Sequence, residues 1–479
     1  MRVLGILLAA IALVGCSKPI QRPARDFSVQ APLAWKGGEV TSSAPDVDWW
    51  AYFGDGGLDL AISESLTKNY DLRAAAARIE AARQDVRIAT AAELPELSLG
   101  VNRSRSRQNF VGLPFPGLAG RVLSTTNTNT GLSLNLAWEA DVWGRIKAGE
   151  TAAIANFEAR EADLEGARLS LTGQVAKAWF AAIEAERQVG IAKASLASYE
   201  TSGERVRARY QAGIRPSLDL RLALSEIDRA LALVKQREQQ RDAFIRQLET
   251  LAGRYPAGEQ SLAEDLPKVP PHVPAGLPAE LVHRRPDLIS AERTLLATDA
   301  RIAESKAALR PSFSLTSGLG TASNKLADLL NPNVQVWNYV TGVVMPLFNN
   351  GRLKAGVRAN EARAMEAAAN YESRILTAYR EVETTLAAES ILAEREQALE
   401  SATRNALAAR DLAEQRYRAG LADIITVLSS QRTALDSESA LLTVRRVRLD
   451  NRVDLHLALG GGFAATPVVA APAQDSPTE

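Results

Sequence analysis

Two six-residue segments, WGRIKA at Trp143–Ala148 and NGRLKA at Asn350–Ala355, are separated by 207 positions. A second pair, RYQAG at Arg209–Gly213 and RYRAG at Arg416–Gly420, has the same separation of 207. Because both pairs keep one spacing, the chain between them has the same length in each copy. Such internal similarity is typical of a repeated supersecondary unit. The sequence therefore predicts a duplicated structure.

The segment between the two landmarks of each copy has the pattern of a coiled coil. Apolar and small residues recur at steps of three and four from Leu164 to Tyr210, and less regularly from Leu392 to Ala413. No proline interrupts either stretch. A helix from about Thr151 to Gln211 would be roughly 90 Å long at about 1.5 Å per residue.

A turn is expected directly after each of these helices. Gly213 and Gly420 suit the position that follows a helix C-terminus. A second apolar face follows each glycine, from Leu220 to Val234 and from Ile424 to Leu449. We therefore predict two antiparallel helical hairpins with matching tips.

Four shorter segments alternate apolar and polar residues with a period of two, which is typical of strands. They are centred on Leu97–Val101, Leu132–Trp138, Phe313–Leu315 and Val336–Leu347. Four strands are too few to close a barrel, and an open edge cannot face lipid, so partner strands from other subunits are expected. The alternative is a soluble sheet that packs on the helices.

Each pair of strands flanks a segment rich in Gly, Pro, Ser and Asn. These segments, Ser104–Thr130 and Gly320–Gln335, are predicted to be exposed loops. Arg103, Arg105 and Arg107 lie at the start of the first one. They could approach anionic lipid headgroups, but we favour the simpler reading that they solubilise the loop.

The N-terminus has the pattern of a cleaved export signal. Arg2 precedes an apolar run from Val3 to Val14, which is too short to span a bilayer. The run ends at Gly15 and Cys16, which resembles a bacterial lipoprotein signal and implies a diacylglycerol and an N-acyl chain on Cys16. Ser17, rather than Asp, favours the outer membrane over the inner one.

These observations divide the chain into six segments. They are a signal peptide (1–15), a lipid-anchored linker (16–57), a first repeat (58–253), a Pro-rich linker (254–279), a second repeat (280–459) and a disordered tail (460–479).

Composition and histidine content argue against two other functional classes. The formal net charge of the 479 residues is zero, whereas a nucleic-acid-binding protein typically has a basic excess. None of the three histidines, His272, His283 and His456, has a metal-binding partner at helical spacing, and no Gly-rich phosphate loop follows a strand. We therefore expect no enzyme, no metal site and no cofactor other than the lipid on Cys16.

The ordered set of motifs resembles the outer-membrane efflux protein family, the TolC-like outer-membrane factors, in the lipoprotein branch of tripartite efflux systems. The resemblance covers nearly the whole mature chain. The motifs that carry it are Trp49-Trp50 with Phe53-Gly54-Asp55, Asn69-Tyr70-Asp71-Leu72, Leu94-Pro95, Trp143-Gly144-Arg145, Arg284-Arg285-Pro286-Asp287-Leu288 with Ala291-Glu292-Arg293, and Tyr417-Arg418-Ala419-Gly420.

The resemblance implies a mainly α fold with a small β part. Long helical hairpins of three chains would form a periplasmic α-barrel, and four strands per chain would form a twelve-stranded outer-membrane β-barrel. The implied partners are a periplasmic adaptor (membrane fusion) protein, an inner-membrane transporter of the resistance-nodulation-division type, and outer-membrane lipid. The implied function is passive export of drugs or small toxic compounds. A protein-export duct and a non-conducting coiled-coil envelope lipoprotein are the alternatives.

The resemblance also suggests which residues close the tip. Aligned on Tyr417 and Gly420, two family positions that often carry Asp fall on Thr426 and Ser429, which are neutral. Asp219 matches a family aspartate that bonds the tip tyrosine, here Tyr417. The arginine that joins this link in the family is replaced by Ala422. Asp219, Tyr417, Thr426 and Ser429 are therefore the gate candidates, with a hydrogen bond between Asp219 and Tyr417 expected.

The repeated tips are also the place where the family meets its adaptor. Cations near a helix C-terminus can simply interact with the helix dipole, but their repetition favours a docking role. The predicted contact residues are Arg209, Tyr210, Gly213, Ile214, Arg416, Gly420 and Leu421.

Overall fold

A computed structural model of the chain describes residues 27–29, 31–36, 48–111, 122–270 and 278–461. Cys16, the predicted signal peptide and the tail beyond residue 461 lie outside the described residues. The helices and strands, in chain order, are α1 (Gly56–Lys68), α2 (Tyr70–Ala91), β1 (Glu96–Phe110), β2 (Leu123–Ala140), α3 (Arg145–Gln211), α4 (Ser217–Leu251), α5 (Leu281–Arg284), α6 (Pro286–Ala307), β3 (Ser312–Thr321), β4 (Gln335–Val344), α7 (Arg352–Arg418) and α8 (Ile424–Ala458).

The duplication predicted from the sequence is present in the helix lengths. α3 and α7 each contain 67 residues, and α4 and α8 each contain 35. Both predicted hairpins are therefore confirmed. α3 begins at Arg145 rather than near Thr151, directly after Gly144, which has a left-handed φ of 72°. Gly351 precedes α7 with a φ of 80°, so both copies use a glycine to turn from strand into helix.

Two compact units are distinguished within the chain. Of the described residues, one unit comprises 79–111, 122–159 and 292–370, and contains the sheet. The other comprises 27–29, 31–36, 48–78, 160–270, 278–291 and 371–461, and contains three apolar cores. No helix among the described residues is both long and apolar enough to cross a membrane.

The four strands form one antiparallel sheet in the order β1-β2-β3-β4. Its register places residues of like polarity in rows across the strands. One row consists of Leu99, Leu134, Leu319 and Trp337, all exposed, and the adjacent row on the opposite face consists of Ser98, Asn135, Gly318 and Asn338. The sheet therefore has one largely apolar and one largely polar face.

The predicted loop at Ser104–Thr130 is wrong at both of its ends. β1 continues to Phe110 and β2 begins at Leu123, and residues 104–110 of β1 pair in register with residues 123–129 of β2. The side chains in these parts of β1 and β2 are mostly polar, so the alternation of apolar and polar residues that predicts a strand is missing. The threonines of β2 nevertheless have a high strand propensity. The second predicted loop is close to the structure, because β3 ends at Thr321 and β4 begins at Gln335. β4 ends at Val344, before the predicted Leu347.

The Trp-Trp motif folds into the first apolar core. Trp49 and Phe53 are buried there with Trp179 of α3. The indole nitrogen of Trp179 donates to Asp55 Oδ2 at 2.8 Å, while Asp55 Oδ1 accepts from the backbone of Gly57 and Leu58 at the start of α1. Asp55 therefore caps one helix and orients a core side chain of another.

The Arg-Arg-Pro-Asp motif spans the start of α6, whose first residue is Pro286. The buried guanidinium of Arg285 donates to both carboxylate oxygens of Asp287 at 2.9 Å, to Glu381 at 2.8 Å and to the carbonyl of Ala458 at 3.1 Å. Burial alone would lower the pKa of Arg285, but these acceptors hold it above its usual value. Arg285 thus joins α6, α7 and the C-terminus of α8.

Candidate gate and docking site at the helical tips

The two hairpin tips turn with the same backbone geometry. Gly213 and Gly420 have left-handed φ values of 73° and 78°. At the first tip, Ile214 N donates to Arg209 O at 2.9 Å and Gly213 N donates to Tyr210 O at 2.9 Å. The same two bonds recur at the second tip, where Leu421 N donates to Arg416 O. This pair of bonds is a Schellman motif, which requires the positive φ that glycine supplies.

An apolar core behind the tips includes residues from all four long helices. Its buried members are Tyr199, Val206, Ala223, Ala230, Ala413, Tyr417, Ile424, Val427 and Leu428. The hairpins are therefore packed on each other at this end of the second unit, and any opening of the tip has to separate some of these contacts.

The two tip tyrosines differ in their environment although they are equivalent in the repeat. Tyr417 is 2% exposed, whereas Tyr210 is 43% exposed. The guanidinium carbon of Arg209 lies 4.5 Å from the centroid of the Tyr417 ring. Arg209 Nη2 also donates to the carbonyls of Tyr417 and Arg418, both at 3.1 Å. We call this contact between the C-termini of α3 and α7 the Arg209–Tyr417 clasp.

The predicted hydrogen bond between Asp219 and Tyr417 is absent. The Tyr417 hydroxyl is buried and has no hydrogen-bond partner among the described residues. Asp219 instead lies 4.0 Å from Arg215 on the preceding turn. Arg215 lies in the turn before α4, so attraction between its positive charge and the carboxylate competes with a bond from Asp219 to Tyr417.

Arg215 was not predicted as a site residue, yet it lies beside the Arg209–Tyr417 clasp. Its guanidinium carbon lies 6.0 Å from the Tyr417 ring centroid. Shifted by the repeat spacing of 207, Arg215 corresponds to Ala422, the position where the expected arginine is missing. The first repeat thus supplies the cation beside Tyr417. The correspondence between Arg215 and Ala422 could have indicated this from the sequence.

Thr426 and Ser429, the neutral residues at the two positions that often carry Asp in the family, are both exposed on α8. Thr426 donates to Asp423 Oδ1 from its backbone nitrogen at 2.8 Å and from its hydroxyl at 2.6 Å. These bonds from Thr426 lower the pKa of Asp423, which caps α8. Sequence reasoning missed Asp423, although an aspartate just after a turn glycine is a helix-start signal.

A buried glutamine forms a second polar link behind the clasp. Gln431 is 3% exposed, and its Nε2 lies within hydrogen-bond distance of Ser198 Oγ at 2.8 Å, Ser202 Oγ at 3.0 Å and Glu414 Oε1 at 3.0 Å. An amide nitrogen has only two hydrogens, so these acceptors share them. The link joins α3, α7 and α8. Its partners are far apart in sequence, so no local pattern indicates it.

The remaining predicted docking residues lie on the outer surface of the tips. Ile214 and Leu421 are about equally exposed, at 68% and 72%. One turn further on, Leu218 and Ile425 are exposed at matching positions. Tyr210 and Arg416 are exposed beside them. Each tip therefore presents two exposed apolar side chains at equivalent positions.

Known proteins share this architecture. A sequence profile described as "Outer membrane efflux protein" matches residues 61–254 and 277–461. The chain is 31% identical to the cation efflux system protein CusC of Escherichia coli O6:H1 over 464 residues, 95% of this chain and 97% of that protein. It is 32% identical to the outer membrane protein OprJ of Pseudomonas aeruginosa over 467 residues, 95% of each.

A solved structure shows the same fold. The open-state MtrE outer membrane channel of Neisseria gonorrhoeae superposes with a TM-score of 0.78 at 28% identity, covering 93% of this chain and 98% of that one. The profile match spans most of both repeats, and the relatives are matched over nearly their whole length. This chain therefore belongs to the outer membrane efflux protein family.

Proposed function

We propose that this protein is the outer-membrane channel of a tripartite efflux pump, and that it exports drugs or other small toxic compounds through a passive duct. The observation that carries the proposal is the sheet with one apolar and one polar face, joined in one chain to two long helical hairpins with exposed tips. A lipid-facing side and a water-facing side are what a barrel strand requires.

We propose a homotrimer as the working assembly. β1 and β4 are the outer strands of the four-stranded sheet and have unpaired edges within the described chain. Unpaired backbone groups cannot be left in a hydrocarbon environment. Three copies joined edge to edge would close a twelve-stranded barrel. A diacylglycerol and an N-acyl chain on Cys16 would anchor each copy to the outer membrane.

The partners we propose are a periplasmic adaptor and an inner-membrane transporter of the resistance-nodulation-division type. The adaptor would bind the apolar surface formed at each tip by Ile214 and Leu421 with their neighbours. The energy for export would come from the transporter, so this chain needs to hold its tip closed at rest and to open when docked. The Arg209–Tyr417 clasp is the contact that we assign to the closed state.

The docking proposal is tested by placing charge on both tips. In Ile214→Glu combined with Leu421→Glu, each carboxylate would have to be desolvated against the adaptor. A central interface side chain contributes about 2 kcal/mol or more, so we expect adaptor binding to weaken by more than about tenfold. Export of a fluorescent efflux substrate should fall correspondingly in cells that supply the adaptor and the transporter.

A control introduces two glutamates at exposed apolar positions away from the tips, in Tyr255→Glu with Leu330→Glu. It should export like the parent. Conductance of the purified tip variant should also equal that of the parent, because the channel itself is unchanged. Export at the parental rate by the tip variant would contradict docking at this surface.

A further inference from the structure

Arginines continue the apolar face of strand β1. Leu97, Leu99 and Val101 are followed at the same two-residue interval by Arg103, Arg105 and Arg107, all within the strand. We call these three arginines the arginine ladder. Side chains at intervals of two point to one face of a strand, so the ladder lies on the apolar face. The prediction that it belongs to a solubilising loop is wrong.

The opposite face of β1 is polar throughout the same length. Its residues are Ser98, Gly100, Asn102, Ser104, Ser106 and Gln108. In a membrane barrel, the polar face borders the water-filled lumen and the apolar face borders lipid. The ladder therefore lies on the outside of the barrel, just beyond the end of the hydrocarbon-facing surface. It does not line the channel.

No carboxylate of the same hairpin neutralises the ladder. Its cross-strand neighbours are Thr130, Thr128 and Thr126, and the sequence from Asn102 to Trp138 contains no Asp or Glu. Arg107 Nη2 donates to Ser124 Oγ at 2.8 Å. Arg103 and Arg105 form no hydrogen bond or ion pair with any residue in the described part of the chain. The guanidinium groups are thus available to an external anion.

We propose that the arginine ladder binds the phosphate groups of lipid headgroups in the outer leaflet. Arginine on the lipid face of a barrel is most costly at the bilayer midplane and tolerated near the interface. Successive ladder residues are about 6.6 Å apart at about 3.3 Å per residue, so adjacent guanidinium groups can hold separate phosphate oxygens. Guanidinium binds phosphate with paired, charge-assisted hydrogen bonds. This proposal rests on the membrane location of the sheet.

The test compares two lipids that differ only in phosphate. The purified, detergent-solubilised protein is mixed with lipid A and with the same lipid A after removal of both phosphates, and bound lipid is counted by native mass spectrometry. Anionic headgroups attract each nearby arginine, so we expect the parent to retain the phosphorylated lipid at least about tenfold better. The triple variant R103Q/R105Q/R107Q should retain the two lipids equally.

A control variant, R78Q/R395Q/R404Q, removes three exposed helical arginines and should keep the preference. Thr126→Glu with Thr128→Glu adds carboxylates opposite Arg107 and Arg105, and should abolish the preference without removing any arginine. A preference that survives both changes to the ladder would overturn the proposal.

Single-channel recordings separate this inference from the channel function. R103Q/R105Q/R107Q should keep the parental conductance and ion selectivity, because the ladder faces lipid. A shift toward cation selectivity in that variant would place the arginines in the lumen and overturn the proposal. A parent protein that binds lipid A by its phosphates but never conducts would refute the channel and leave the lipid site standing.

Discussion

Arg209→Ala should raise the open fraction of the channel at least about tenfold in planar bilayers. The substitution removes two hydrogen bonds from a charged donor, each worth about 1.5 to 3 kcal/mol, and a cation–π contact worth about 0.5 to 2 kcal/mol. Every tenfold change in the open-to-closed ratio needs about 1.4 kcal/mol. The lower limits of these three contributions together are more than twice that free energy. Losing half of this sum from the closed state is therefore enough to raise the open fraction tenfold.

The duplicated sequence supplies the control for this experiment. Arg416 is equivalent to Arg209 in the other repeat, but its side chain is exposed and forms no hydrogen bond or ion pair with any described residue. Arg416→Ala should therefore leave the open fraction near the parental value. Equal effects of the two substitutions would show that charge at the tip, rather than the Arg209–Tyr417 clasp, controls opening.

His456→Phe should make the protein more resistant to acid. His456 of α8 is buried, stacks on Trp49 with ring centroids 5.1 Å apart, and leaves both ring nitrogens without a partner among the described residues. Burial, with a smaller effect of the charge on Arg452, lowers the pKa of His456 from 6.5 to about 4. Protonation therefore favours the unfolded chain.

The sign of this effect follows from the two pKa values. Well above pH 6.5 His456 is neutral in both states and contributes no pH dependence. Stability is lost as pH falls through 6.5 toward the folded-state pKa, and at pH 4.5 the loss is on the order of 2 to 3 kcal/mol. Phenylalanine can stack on Trp49 without taking up a proton, so the variant should be at least as stable as the parent at pH 7.5 and clearly more stable at pH 4.5.

The half-buried carboxyl group of Asp450, also on α8, affects stability with the opposite pH dependence. Burial raises the pKa of Asp450 from 3.8 to about 6, so its contribution to stability increases as pH falls through that range. The pH dependence of the parent's stability therefore contains the contributions of both His456 and Asp450. The informative quantity is the difference in thermal unfolding between the parent and His456→Phe at the two pH values.

His283→Phe provides the comparison for this measurement, because His283 is exposed. It should melt like the parent at both pH values. If the difference between His456→Phe and the parent did not grow at pH 4.5, the folded-state pKa of His456 would have to be close to its ordinary value.

The long-range architecture could be predicted because the duplication is recorded in exact spacing. The two landmarks 207 positions apart give the equal helix lengths, and the glycines at 213 and 420 give the turns. The helix lengths and the turns both depend on local backbone geometry, which sequence patterns describe well. The same reasoning fails for the ends of β1 and β2, where the hydrophobic alternation stops but the backbone ladder continues.

The contacts of the candidate gate were less predictable, because they depend on side chains brought together from different helices. Equivalent tyrosines at the two tips cannot be distinguished by sequence, yet only Tyr417 is buried beneath Arg209. Asp219 was expected to bond Tyr417, but Arg215 lies within reach of its carboxylate. Electrostatic competition of this kind is decided by a few ångströms of placement.

The decisive measurement is single-channel conductance in planar bilayers, with the oligomer mass determined on the same detergent-solubilised sample. We predict a homotrimer that gives discrete conductance steps, with long closures in the parent that shorten in Arg209→Ala. A monomer or dimer that gives no conductance, in the parent and in Arg209→Ala alike, would contradict this prediction.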